Sequence, residues 1–344
     1  MEFRILNPAE SPDWDEVLLQ NNDHSFFHTS AWAKVLQATY RFKPLYFVSS
    51  ESGRLALLMP MMEVYGPLKG KRGVALPFTD RCAPHVLEPE SLKAAVKSAI
   101  DYGEKNGWRS IEWRDDPYGP EGAPAWKTYL MHEIGLRKTK ADLFKSLSSN
   151  NRRNIKKALR EGVSVRTDRS AESLRSFYRL NCMTRKRHAL PPQPFIFFKN
   201  VLEHVLSRDL GQVFSAYHAG KVIAASIFFH FGNEALFKYG ASEMEHQCLR
   251  PNNLLMWEAL NWYNDRNFAT MSLGRTEIDN RGLLRYKRAW GAKETVLEYF
   301  RYDLGEKAYL AEHRGRGGLS RFLVARTPTS ILRIIGRLFY RLVG

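Results

Sequence analysis

The stretch Gly274–Gly291, GRTEIDNRGLLRYKRAWG, decides the reading of this chain. A strand-like run, Ala269–Leu273, feeds into it, and a polar turn with Asp279, Asn280 and Gly282 follows. An apolar pair, Leu283–Leu284, then precedes the dense cluster Arg285–Tyr286–Lys287–Arg288, and Trp290 and Gly291 close the segment. A strand that leaves a sheet into such a turn delivers the next residues to the strand end, where ligands gather in mixed sheets. Three cations in four residues are not buried without partners. They form either a solvated helix face or a site for something anionic.

Charge elsewhere bears on that choice. Lys and Arg number 52 against 36 Asp and Glu, a formal net charge of +16. Lys145–Arg166 and Ala311–Gly344 each hold seven basic residues and one acidic, and so supply +12 of it. Excess charge this localised suggests an anionic partner: nucleic acid, a membrane surface or phosphorylated substrates. In Lys145–Arg166 a helix would place Arg152, Lys156 and Arg160 on one stripe with Arg153 and Lys157 beside it, ending at Gly162. No interleaved acid provides the usual i,i+4 pairing, so the face is either solvated or a phosphate contact. The basic turn Thr184–Pro194, with Arg185, poses the same alternatives.

At 344 residues, 44% hydrophobic and 12% aromatic, the chain has enough material for two globular domains. No apolar run reaches membrane-spanning length. The first residues lack a basic region followed by an apolar core, so no signal peptide is expected. Cys82, Cys182 and Cys248 are far apart and support neither a disulfide framework nor a zinc site. A reducing cytoplasm is the simplest location. Three catalytic motifs fail. Gly66–Arg72 is not a P-loop, His132–Leu136 lacks the second histidine of a zincin, and no G-x-S-x-G occurs.

The element order suggests an α/β chain with an internal repeat. Pro44–Met62 reads as a hairpin turning at Ser52–Gly53, followed by a Gly/Pro-rich section, a helix over Ser91–Gly107 and a strand over Trp108–Asp116. About 160 residues on, the order recurs: a hairpin over Gly211–Phe231 turning at Ala219–Gly220, a strand over Ala235–Ser242, a helix over Arg250–Asn267 and a strand over Phe268–Arg275. Such recurrence favours two similar units, although the order is common in α+β proteins. A short helix holding Trp32, Val35 and Leu36, capped by Ser30, precedes the first hairpin. A longer helical region covers Ser173–Arg187. The expected division is 1–143, 144–310 and a basic tail, 311–344.

Five segments in order carry a resemblance: FFHTSAW, SSNNRRNIKKALREGVSV, FYRLNCMTRKRHALPPQPFIFF, YGASEMEHQCLRPNNLLMWEAL and GRTEIDNRGLLRYKRAWG. They resemble the FemAB-like branch of the GNAT acyltransferase superfamily, and the match covers roughly Phe26–Phe300. The resemblance implies two tandem GNAT-like domains and the transfer of an aminoacyl group from aminoacyl-tRNA to an amine on a muropeptide or related envelope precursor, with no cofactor beyond the donor. Amine attack on an ester forms a tetrahedral oxyanion that a nearby cation stabilises. The family's motif lysine resembles Lys287, with Tyr286 in the adjacent aromatic position. Asp80, in PFTDRCAP, is the candidate proton acceptor by order, and an Asx-turn cap is the plainer alternative. The further expected substrate contacts are Trp32, Lys34, Arg153, Arg185, Tyr239, Asn252, Arg275 and Asn280. Four positions beyond Trp32 the chain has Leu36, and the nearest lysine is Lys34.

Two alternatives stay open. An acyl-CoA-dependent N-acetyltransferase would cradle pyrophosphate at a helix start on a Gly-rich loop. The corresponding HQCLRPNNLL has no glycine, but Asn252 or Asn253 could cap the helix. A non-catalytic basic adaptor could stack bases on Tyr239, Trp257, Trp262 or Trp290, although aromatics at helical spacing are more often core. Finally, Arg333, Arg337 and Arg341 recur at i,i+4 beside Ile331, Leu332, Ile334, Ile335, Leu338, Phe339 and Leu342. That pattern suits a helix lying on anionic lipid at the inner membrane face or one docked against the protein's own body.

Overall fold

The computed structural model describes residues 3–21, 24–51, 54–67, 69–115, 122–312 and 327–343. In chain order these form β1 (Arg4–Leu6), α1 (Trp14–Leu19), α2 (Ser30–Tyr40), β2 (Lys43–Glu51), β3 (Arg54–Gly66), β4 (Gly70–Val74), β5 (His85–Val86), α3 (Pro89–Lys105) and β6 (Trp108–Arg114). Next come β7 (Lys127–Gly135), α4 (Lys140–Ser146), α5 (Ser149–Arg160), β8 (Ser164–Asp168), α6 (Ala171–Arg187), α7 (Phe195–His204), β9 (Gly211–His218), β10 (Lys221–Phe231), β11 (Glu234–Ser242), α8 (Pro251–Asn264), β12 (Thr270–Glu277) and α9 (Arg281–Arg288). The chain continues through β13 (Lys293–Asp303), β14 (Ala308–Tyr309) and α10 (Thr329–Val343).

Two compact units emerge. One comprises Met1–Tyr129, Val296–Arg316 and Phe339–Gly344; the other comprises Leu130–Thr295 and Gly317–Leu338. This differs from the division expected at 143/144. Tyr299–Asp303 of β13 pairs antiparallel with Ser110–Arg114 of β6, so the segment after 296 belongs with the first unit. Only Leu297, Tyr299 and Phe300 of β13 are buried, and the charged residues among and around them hide the strand in the sequence.

In the first unit the strands run β1-β2-β3-β4-β6-β13, with β5 on β3 and β14 on β13. The β2–β3 hairpin forms as expected, and its turn lies outside the described residues. β4 and β6 are parallel, with α3 between them in sequence. Leu45, Phe47, Leu57, Met59, Ala95, Trp108 and Phe300 are among the residues of this unit's core. Beside it lies a charged cluster: Glu112 accepts from Arg114 Nη2 at 2.9 Å and from Arg301 Nη2 at 2.6 Å. Burial alone would raise the Glu112 pKa, but the two guanidiniums pull it down to about 2.

In the second unit the order is β7-β12-β11-β10-β9-β8. The β9–β10 hairpin turns at Ala219 and Gly220, with φ of 48° and 76°. Two successive left-handed residues match the twist of a tight hairpin. β11 and β12 are parallel around α8, as β4 and β6 are around α3, so the repeat read from element order is present in both units. The expected connecting helix is α5, and a further helix, α4, precedes it. Leu147 and Ser148 take ψ near 150° and separate the two, and the Ser148 side chain caps α5 by accepting from Asn151 N at 3.2 Å. At α2 the cap is Thr29, one residue before the expected Ser30, whose hydroxyl instead donates to Asp15 at 2.7 Å. The helical region expected over Ser173–Arg187 is α6, which takes in Thr184–Arg187 and leaves the rest of the expected basic turn, 188–194, after its end.

Candidate functional site

The site begins where two parallel strands part. β11 and β12 pair only from Glu234 to Leu236 against Thr270 to Ser272. Beyond that, β11 continues along β10 as far as Ser242, while β12 runs on to Glu277. Parallel strands that separate toward their C-terminal ends leave an opening where α/β sheets bind ligands. Helix α8 starts just past the end of β11, with Arg250 left-handed at φ 61° and Pro251 in the first turn. Its orphan N–H groups and the positive end of its dipole therefore lie at this end of the strands.

Lys287 occupies the end of β12. It is 5% exposed, which excludes the surface lysine that a charge cluster first suggests. Asn280 caps the short helix α9 by accepting from Leu283 N at 3.1 Å, and the turn spacing then puts Leu284 and Lys287 on the buried face. The ammonium donates to the carbonyls of Gly274 at 2.8 Å and Arg275 at 2.9 Å. Successive carbonyls of a regular strand point in opposite directions. Both reach one ammonium here because Gly274, at φ 73°, breaks the pleat in a conformation open to glycine.

Two residues not foreseen from sequence complete this cluster. His132 on β7 is fully buried, and its Nε2 lies 2.9 Å from Glu294 Oε1. Glu294 also accepts from Arg288 Nε at 2.8 Å and Nη2 at 2.9 Å. Burial and then the Lys287 charge lower the His132 pKa, against the pull of Glu294 and the Gly274 carbonyl. The imidazole is therefore neutral near pH 7 and donates Nε2–H to the carboxylate. Hydrogen bonds from Arg288 hold Glu294 below the usual carboxylate range.

A backbone network anchors the rest. Ser148 N and Asn151 Nδ2 donate to the Ala289 carbonyl at 2.9 and 3.0 Å. Asn253 Nδ2 donates to Asn151 Oδ1 at 3.1 Å. The C-terminal end of α9 and the starts of α5 and α8 are thus tied together. From α5, Arg153, Lys156 and Arg160 are exposed, while Ile155 and Ala158 are buried. Trp290 is fully buried, and Tyr286 meets it edge-on at 6.2 Å; burial pushes the Tyr286 hydroxyl up to about 12.

The remaining expected contacts have diverse settings. Arg275 gives its carbonyl to Lys287. Neither Asn252 nor Asn253 caps α8, which has no side-chain cap; Asn252 Nδ2 donates to Ser242 Oγ at 3.2 Å, at the end of β11. Tyr239 sits among the rings of Phe177, Phe197 and Phe198. Arg185 Nε donates to the Pro191 carbonyl at 3.3 Å, so it braces its own loop. Trp32 is fully buried against Phe26 and Phe27; it packs the first unit and presents no surface to a substrate. Lys34 is partly exposed on α2. Asp80 belongs to the first unit, in a segment where Leu76 and Phe78 have φ of 52° and 61°. Tyr299 OH donates to its carbonyl, and Arg114 Nη1 donates to the carbonyls of Leu76 and Thr79. Among the described residues no cluster of His, Cys, Asp and Glu could hold a metal, and Cys82, Cys182 and Cys248 are free thiols.

This geometry has relatives. Residues 145–288 match the family model of the acetyltransferase (GNAT) domain. Over 143 residues the chain is 25% identical to the UDP-N-acetylmuramoylpentapeptide-lysine N(6)-alanyltransferase of Weissella viridescens. That match covers 42% of this chain and 41% of the relative, so it spans about two fifths of either protein. Among solved structures, FemX is similar with a TM-score of 0.69 at 14% identity, covering 87% of this chain and 97% of that one. A tandem GNAT protein from the clavulanic acid biosynthesis pathway is also similar, with a TM-score of 0.55 at 13% identity, covering 88% of this chain and 98% of that one. At such identities the structural likeness is one of fold: two GNAT-like units in one chain.

Proposed function

We propose that this chain, a FemAB-like protein of the GNAT superfamily, is an aminoacyltransferase that forms an amide on an amine of a cell-envelope precursor. The observation that carries the proposal is the Lys287 ammonium, buried and aimed by two backbone carbonyls at the end of β12. Attack of an amine on an aminoacyl ester places negative charge on the former carbonyl oxygen. A cation already oriented, in a site from which water is largely excluded, stabilises that charge without reorganising. His132, Glu294 and Arg288 buttress it: Glu294 is held by both neighbours, and the neutral imidazole adds no competing positive charge beside Lys287. The attacking ammonium must also lose a proton to a general base.

The donor reading follows from charge. The exposed cations of α5 project from a helix whose start is tied to the end of α9, which suits an RNA end. Acyl-CoA remains the second reading, because residues 145–288 match a family described by acetyl transfer and because α8 offers its N-terminus. Against it, the segment before α8 lacks the glycines that allow close approach of a pyrophosphate.

The test supplies UDP-N-acetylmuramoyl-pentapeptide containing lysine, with alanyl-tRNA or acetyl-CoA as donor, and reads the product by mass spectrometry. We expect gain of an alanyl group. We expect Lys287→Ala to lower kcat by roughly 10²–10³-fold with the melting transition retained. Acetylation alone would move the protein to the CoA-dependent branch. Binding of RNA without product from either donor would make it an adaptor.

A further inference from the structure

Helix α10 docks by a narrow stripe. Leu332 and Tyr340 are buried, and Gly336 lies so close to the chain that a Cβ there would come within 2.0 Å of the Pro192 carbonyl. These three residues recur every four positions and define one face. Arg333, Arg337 and Arg341 follow one residue later along the flank, with the Arg333 guanidinium 5.3 Å from the centroid of Tyr178. At ~100° per residue, Ile331, Ile334, Ile335 and Leu338 fall on the side away from the docked stripe. All four are exposed, Ile334 and Leu338 at 64% each. Four contiguous aliphatic side chains facing water are a surface that calls for a partner.

The chemistry beside the row identifies that partner. The helix, TSILRIIGRLFYRLV, contains no acidic residue. Next to it a cavity of about 700 Å³ is lined by Tyr178, Phe195 and Ile196 together with Arg175, Arg333 and Arg337. Three guanidiniums rimming an apolar groove, alongside an aliphatic row, match an anionic group joined to hydrocarbon. No described helix is long and apolar enough to cross a membrane, so such a helix would lie in the surface plane.

We infer that α10 is an interfacial anchor that binds the surface of an anionic lipid bilayer. Ile331, Ile334, Ile335 and Leu338 enter the acyl boundary, while Arg337, Arg341 and Arg175 meet lipid phosphates. The docked stripe holds the helix to the protein, so the apolar row is presented ready-made. This inference is independent of the transfer reaction proposed above.

Vesicle co-sedimentation with the full chain tests it, using phosphatidylglycerol-containing and pure phosphatidylcholine vesicles. The wild type is expected to bind the anionic vesicles and to bind the neutral ones far less, with binding weakened by added salt. The exposed-site double variant Ile334→Asp/Leu338→Asp and the charge variant Arg337→Glu/Arg341→Glu should each lose roughly tenfold or more in partitioning at an unchanged melting temperature. Undiminished binding in both variants, or no preference for anionic vesicles, overturns the inference. So does a dimer by light scattering that Ile334→Asp/Leu338→Asp converts to monomer, since the row would then serve self-association.

Discussion

Lys287 drew notice in the sequence because three cations beside a turn demand an explanation; its neighbours in the fold did not. His132 and Glu294 lie 162 positions apart, and neither carries a local signal: one alternates within a strand, and the other follows a glycine-bounded turn among charged neighbours. Only the fold pairs them. The pairing makes a prediction. Because Lys287 lowers the His132 pKa, Lys287→Met should raise it, measurable by NMR titration of the imidazole; an unmoved or lowered value would remove Lys287 from its electrostatic neighbourhood. Trp32 illustrates the opposite failure, since a motif tryptophan looks like a ligand contact until its complete burial assigns it to packing. Glu112 gives a stability test. Its folded pKa of about 2 lies below the ordinary 4.5, so its contribution is present above pH ~4.5 and is lost as pH falls toward 2. Glu112→Gln leaves Arg114 and Arg301 without their carboxylate and should cost about 3–5 kcal/mol in denaturant unfolding. It should also flatten the acid limb of the stability curve.

Elements defined by strong punctuation were read well. The β9–β10 hairpin has its Ala219–Gly220 turn, and α3 stops before Gly107, which is left-handed at φ 69°. Elements whose boundaries depend on backbone torsion or distant pairing were not. The break between α4 and α5 rests on the extended Leu147 and Ser148, residues with no compositional warning beyond a run of serines. β7 and β13 carry too many polar residues to stand out until their partners are known. For α10, interfacial helix and docked helix were alternatives in the sequence, whereas the structure has one face docked and another exposed. The small residue in the docked stripe makes this testable. Gly336→Ala should push the helix off Pro192 and cost about 1–3 kcal/mol locally, seen as faster hydrogen exchange across Thr329–Val343. Protection equal to wild type would mean that the contact yields without cost.

For the whole molecule, the net charge of +16 is concentrated where a polyanion could use it. If α5 meets RNA, Arg153→Glu/Lys156→Glu should flatten the dependence of log affinity on log salt by about 0.7–0.9 per lost phosphate contact. An unchanged slope would place the RNA elsewhere. The fold class and the repeated β-α-β order were visible from sequence, because hydrophobic periodicity is local. The true limits of the units were not, because they depend on where β13 pairs. That pairing also has a consequence for biosynthesis. Arg114 waits for Tyr299, 299 − 114 = 185 residues later, roughly 10–40 s at ordinary ribosomal rates. Meanwhile Leu130–Thr295 emerges, which is all of the second unit except Gly317–Leu338. The nascent first unit must keep the edge of β6 from pairing wrongly until its last strand arrives.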